Sequence, residues 1–105
     1  MSYEKLVRDK IPEIIRSNGE EPETRILSDE EYKTELEKKL LEEYHEVLNA
    51  EGTNRIEELA DMLEVMISLA ALEEKSLDDI IVEADKKREK RGGFKEKIYL
   101  KSVKK

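Results

Sequence analysis

Two pairs of acids carry the most chemical promise in this chain. Glu43 and Glu46 stand three residues apart in Leu40-Leu41-Glu42-Glu43-Tyr44-His45-Glu46-Val47, and Glu58 and Asp61 have the same spacing in Glu57-Glu58-Leu59-Ala60-Asp61-Met62. Both stretches return apolar residues at three- and four-residue intervals, the period of an amphipathic helix. Acids at that spacing share a helix face, so each helix offers a pair. At about 100° per residue, Glu43 falls between Leu36, Leu40 and Val47, on the stripe that should be dry, and Glu46 lies one turn on toward its edge. Glu58 and Asp61 flank Val65 and Leu72, an apolar strip opposite the main one of Ile56, Leu63 and Ile67.

If the two pairs face each other, their charge must be relieved. Two carboxylates about 4 Å apart repel by roughly 4 kcal/mol at an effective dielectric of about 20. Several such pairs rival the roughly 5–15 kcal/mol that holds a small domain together. Protonation, hydration or a hard cation would relieve the repulsion. A ligand set of oxygens alone suits magnesium, manganese or calcium rather than zinc. Acids are also common in this chain and some land on apolar faces by chance, so spacing alone leaves metal site and coincidence both open.

The elements that must position these acids read as four helices. Residues 3–10 form a short charged arm with Lys5, Arg8, Asp9 and Lys10. Asp9 can cap a first helix with Pro12 in its opening turn, Ile11, Ile14 and Ile15 give it an apolar side, and Asn18-Gly19 ends it. Ser28-Asp29-Glu30-Glu31 has the pattern of a capping box, so the second helix starts there and runs to about Ala50, with Tyr32, Leu36, Leu40 and Val47 inward. After a break at Glu51-Gly52-Thr53, Asn54 with Glu57 can cap a third helix reaching about Glu74. That helix is apolar on two faces, which predicts neighbours on both sides and a share in a subunit interface. Met62 and Met66 read as core fillers.

Ser76 caps the fourth helix, whose buried side is predicted to be Leu77, Ile80, Ile81 and Ala84. Its last turns are basic, through Lys86-Lys87-Arg88-Glu89-Lys90-Arg91, before Gly92-Gly93 stops it. Cations there are ordinary partners of the helix dipole, or else a phosphate-binding edge, since Lys87 and Arg91 stand one turn apart. Residues 94–103 alternate enough, at Ile98 and Leu100, to predict a short strand paired with residues 24–27.

Composition bounds the rest. The 105 residues suffice for a single domain spanning 1–105. Charged residues make up 45%, yet the helical periodicity argues against wholesale disorder. A formal charge of −7 argues against binding nucleic-acid polymers or membrane surfaces. The absence of cysteine excludes disulfides, zinc–thiolate sites and thiol nucleophiles. The N-terminus lacks the apolar run of a signal peptide, and the weakly charged stretch 65–72 is too short to span a bilayer. These features predict a soluble, cytoplasmic protein. The only histidine, His45, projects away from the apolar stripe and reads as a surface residue. No nucleotide-binding glycine loop is present, and Gly92-Gly93 alone is too weak a signal. The acids together with separate basic segments suit metal-assisted attack on a polyphosphate. Magnesium on the carboxylates would orient substrate and activate water, while lysines and arginines held the phosphates.

Glu42-Glu43-x-x-Glu46, followed after a short loop by Glu58-x-x-Asp61, resembles the paired acidic motif of the MazG-like, all-α nucleoside triphosphate pyrophosphohydrolases. Lys5-Leu6-Val7-Arg8-Asp9-Lys10-Ile11-Pro12 and Lys87-Arg88-Glu89-Lys90-Arg91-Gly92-Gly93-Phe94 look like the opening and closing segments of its phosphoribosyl-ATP pyrophosphohydrolase-like branch. The resemblance covers nearly the whole chain. It implies an all-α, four-helix bundle, with the minor β pairing added near the C-terminus, that cleaves triphosphates between the α and β phosphates. A monophosphate and pyrophosphate would result, and noncanonical nucleotides are among the implied substrates. Family metal ligands carry over onto Glu43, Glu46, Glu58 and Asp61, for Mg2+ or Mn2+. Glu42, Glu43 and Glu46 are the catalytic candidates, with Glu42 behind the ion or positioning water. Lys5, Arg8, Lys10, Lys87 and Arg91 are the candidate phosphate contacts. The expected assembly is a homodimer. The competing reading is a non-enzymatic acidic helical protein that dimerises or grips a basic partner.

Overall fold

The computed structural model describes residues 4–105; Tyr3, where the charged arm begins, lies outside them. Four helices follow in order: α1 (Ile11–Ser17), α2 (Asp29–Leu48), α3 (Gly52–Leu72) and α4 (Leu77–Arg91). The fold is all-α and bundle-like. Helices α2 and α3, joined by a three-residue connection, pack as a hairpin, and α4 packs more lightly on α3. The molecule is elongated, 64 × 33 × 24 Å. Among the described residues no helix is long and apolar enough to cross a membrane.

Helix α2 starts where Ser28 can satisfy its first orphan donors. The Ser28 hydroxyl accepts from the Glu31 N–H (3.2 Å), and the Glu31 carboxylate accepts from the Ser28 N–H (3.1 Å). Arg25 then grips that carboxylate with two N–H bonds of 2.7 and 3.2 Å. Ser76 and Asp79 repeat the capping box at α4, and Gly92, at φ +84°, takes the left-handed backbone that ends this helix.

Two expected caps fail. Asp9 does not cap α1, because Lys10 already has helical backbone angles and Ile11 N–H donates to the Arg8 carbonyl (3.1 Å), so the chain enters through a turn. Asn54 does not cap α3, because the helix begins at Gly52, with Glu51 in extended backbone as its N-cap. The Glu51 carbonyl accepts from Arg55 N–H, and Arg55 Nε donates back to the Ala50 carbonyl (2.9 Å), holding the α2–α3 turn.

The expected β pairing is absent: among the described residues none forms a strand. Ile26 and Ile98 both stand in solvent. Alternation supplies one edge of a ladder, but an edge needs a second backbone whose donors and acceptors meet it. The dry interior is small. Leu36 on α2 and Val65 on α3 are its buried apolar residues, with Tyr32, Leu40, Val47, Met62 and Met66 half-buried around them. On α4, Leu77 and Ile80 are half-buried, whereas Ile81 and Ala84, also expected inside, are exposed.

Arg25 and the Ser28 N–H hold the Glu31 carboxyl down at about 2, against an ordinary 4.5. Its stabilising contribution is therefore complete above pH 4.5 and is lost as pH falls toward about 2. Glu31→Gln should lower the thermal midpoint at neutral pH, with the gap to wild type closing across that window. A gap that stayed constant down to acid would contradict this assignment.

Candidate functional site

Helix α2 delivers Glu43 onto its dry face because one helical turn separates it from Leu40 on one side and Val47 on the other. Only 8% of this residue is exposed. Helix α3, lying against that face, brings Glu58 and Asp61 to it, both half-buried. One carboxylate oxygen from each of Glu43, Glu58 and Asp61 lies within 4.8 Å of the others. The two helices thus force three acids together.

Basic side chains gather at the same place. Arg8, from the arm before α1, donates from Nη2 to Asp61 Oδ1 at 2.8 Å. Lys39, one turn before Glu43, places Nζ 3.5 Å from Glu42 and 4.0 Å from Glu43. Even so, Glu43 is driven above the ordinary carboxylate range, first by burial and then by the Asp61 charge, with Lys39 opposing. Glu58 is driven up as well, by lost hydration and then by Asp61 and Glu46. Both shifts have the sign of acids crowded without enough positive charge.

Glu43, Asp61, Arg8 and Lys39 border a cavity of about 610 Å³ between the arm and the α2–α3 hairpin, with Glu58 outside its wall. Asp9, Glu43, Asp61 and Glu64 supply its acids, Lys5, Arg8 and Lys39 its cations, and Tyr32, Leu6, Val7 and Ile11 much of its apolar wall. Two oxygens bound to one hard cation at about 2.0–2.6 Å can lie at most about 4–5 Å apart. The three carboxylates meet that limit for calcium's longer bonds and would have to close slightly on magnesium or manganese, and their all-oxygen donor set suits all three.

The remaining site candidates fall elsewhere. Glu46 is exposed and does not join the three converging acids, although its charge bears on Glu58. Glu42 is exposed beside Lys39. Lys10 sits at the start of α1 and is not part of the cavity wall. Lys87 and Arg91 are exposed on α4, and Arg91 borders a separate depression with Arg88, Lys95 and Lys97. Lys39 and Glu64 were missed by the sequence reading. Lys39 precedes Glu43 by four residues and Glu64 follows Asp61 by three, so the same helical spacing contained the signal.

No family model and no solved structure matches the chain. Over 46 residues it is 52% identical to a protein of Mycolicibacterium smegmatis described as uncharacterized. That match takes in 44% of this chain and 47% of the relative, so the chain spans about half the length of the relative it matches.

Because the folded state raises the Glu43 pKa above its ordinary 4.5, the charged carboxylate costs stability at neutral pH and nothing once pH is low enough to protonate it in both states. Glu43→Gln should therefore raise the thermal midpoint at neutral pH without metal, and the gain should vanish in acid. Excess magnesium should raise the wild-type midpoint, by about 2.7 kcal/mol of stability at a hundredfold excess over Kd, and leave Glu43→Gln unmoved. Equal shifts in both proteins would place the ion elsewhere.

Proposed function

We propose that this protein is a magnesium-dependent nucleoside triphosphate pyrophosphohydrolase of the MazG-like kind, cutting between the α and β phosphates to release a monophosphate and pyrophosphate. The observation that carries the reading is a cluster of three carboxylates from two helices, two of which, Glu43 and Asp61, share one cavity wall with Lys5, Arg8 and Lys39. Acids alone suit a cation and bases alone suit an anion. Both together suit a metal-bound polyphosphate.

Glu43, Glu58 and Asp61 would hold the ion, with Glu46 as a fourth carboxylate. When bound, magnesium or manganese would offset charge on the phosphate oxygens and lower the pKa of a nearby water. Lys39 pairs with both Glu42 and Glu43, and the exposed Glu42 would orient a water. Arg8, now bonded to Asp61, would donate its N–H groups to a phosphate if that carboxylate held a cation instead. Lys5 stands beside it on the cavity wall. Tyr32 and the neighbouring apolar residues are the surface a base or sugar would meet. The setting proposed is cytoplasmic, where noncanonical triphosphates are the substrates to remove.

Pyrophosphate release from canonical and damaged triphosphates, assayed with magnesium, tests the reading. Activity should fall by about 10²-fold or more in Glu43→Gln and Asp61→Asn while the helical circular dichroism is kept. Silence across the panel would favour the non-enzymatic helical assembly, a reading to which the exposed apolar stripes of α2 and α3 lend weight. Normal turnover in either variant would remove these acids from the chemistry.

A further inference from the structure

We propose that the C-terminal part of the chain, residues 86–105, is a binding surface for single-stranded nucleic acid. It is separate from the acid cavity and does not depend on what that cavity does.

The formal charge of −7 averages two unlike parts. Residues 86–105 carry ten lysines and arginines against two glutamates, a net +8, which leaves −15 on the 85 residues before them. A polyanion responds to the local field rather than to the total, and such asymmetry within one chain marks a basic arm. The helix dipole accounts for part of it at most. Its pull on cations is confined to the last turn, whereas five of the ten lie beyond the end of α4. Neighbouring acids account for little more. Lys86 pairs with Glu83 and Arg88 with Asp85, while Lys87, Lys90 and Arg91 have no ion pair among the described residues. These last three are exposed on one helix face, where they repel one another until an anion lies along them.

The backbone gathers part of this charge into a receptacle. Gly92 turns the chain with left-handed backbone, and the Lys97 N–H then donates to the Phe94 carbonyl (3.2 Å). The second turn sets Lys95 and Lys97 around a depression of about 880 Å³ with Arg88 and Arg91, against Glu96 as its acid. No residue is common to this wall and that of the acid cavity.

Charge alone would suit any polyanion, and the aromatic residues narrow the choice. Phe94, in the wall of the depression, and Tyr99, just past it, are 98% and 88% exposed. Exposed rings among cations are platforms on which the bases of a single strand stack without regard to sequence. A duplex keeps its bases stacked on each other and offers no such face. A membrane fits less well. Residues 92–105 form no helix or strand, so their backbone N–H and C=O groups would enter hydrocarbon unpaired.

The whole chain, titrated in EDTA into a fluorescent single strand of about 12 nucleotides, tests the proposal by anisotropy. EDTA keeps any cation out of the acid cavity, so the outcome does not depend on the hydrolase reading. Binding is expected at low salt, with log K falling against log salt at a slope of about −3.5 for roughly five neutralised phosphates. Phe94→Ala should weaken the strand at least about fivefold and leave inorganic polyphosphate of equal charge unmoved. The double variant Arg91→Gln, Lys95→Gln should weaken both, and Glu43→Gln neither. All three altered C-terminal residues are exposed, so the helical circular dichroism should be kept. Absence of binding at low salt, or an unchanged affinity in Phe94→Ala, would overturn the proposal. So would capture by phosphatidylserine vesicles without binding of the strand.

Discussion

Crowding of negative charge between α2 and α3 is the constraint that organises the rest of this molecule. Glu43 is buried on the face that packs against α3, and α3 answers with Glu58 and Asp61 at a distance where carboxylates repel. A hairpin selected for packing alone would place leucine or valine at position 43. The arm before α1 and the turn of α2 before Glu43 both respond to this crowding. They bring Arg8 and Lys39 to the cluster, yet Glu43 and Glu58 still resist ionisation. The packed interior therefore ends where the cavity begins, and Leu36 and Val65 form a dry spot beside a charged one.

The same constraint bears on how much apolar surface the chain leaves exposed. A chain that gives part of its inner face to carboxylates has less apolar surface to bury within itself. Here the apolar residues reappear on the outer flanks of α2 and α3, and along α4 at Ile81 and Val82. Oligomers of small subunits commonly share such faces through two-fold symmetry, where each contact is made twice. The acidic cluster and the exposed apolar stripes thus lie on different flanks of the same helices.

What the sequence made legible follows from how local each signal is. Glu43 on the dry stripe could be read because helical periodicity is set within a few turns, and both serine capping boxes could be read because donor and acceptor lie three residues apart. The pairing of Glu43 with Glu58 and Asp61 followed from a short loop between two long helices. The failures are all longer in range or decided by competition. Asn54 had the right side chain for a cap, but the backbone had already turned helical at Gly52. Residues 94–103 had strand-like alternation and no ladder to join. Ile81 and Ala84 had helical spacing and no neighbour within the chain to bury them. Lys10, Lys87 and Arg91 lie away from the acid cavity, and no local pattern says which depression a cation will border.

Three carboxylates sharing one hard cation are central to the proposed site, and anomalous diffraction from crystals soaked in manganese tests that sharing most directly. It predicts a peak about 2.0–2.6 Å from oxygens of Glu43, Glu58 and Asp61 together. Manganese bound only at other acids of the surface, with these three carboxylates unliganded, would contradict it.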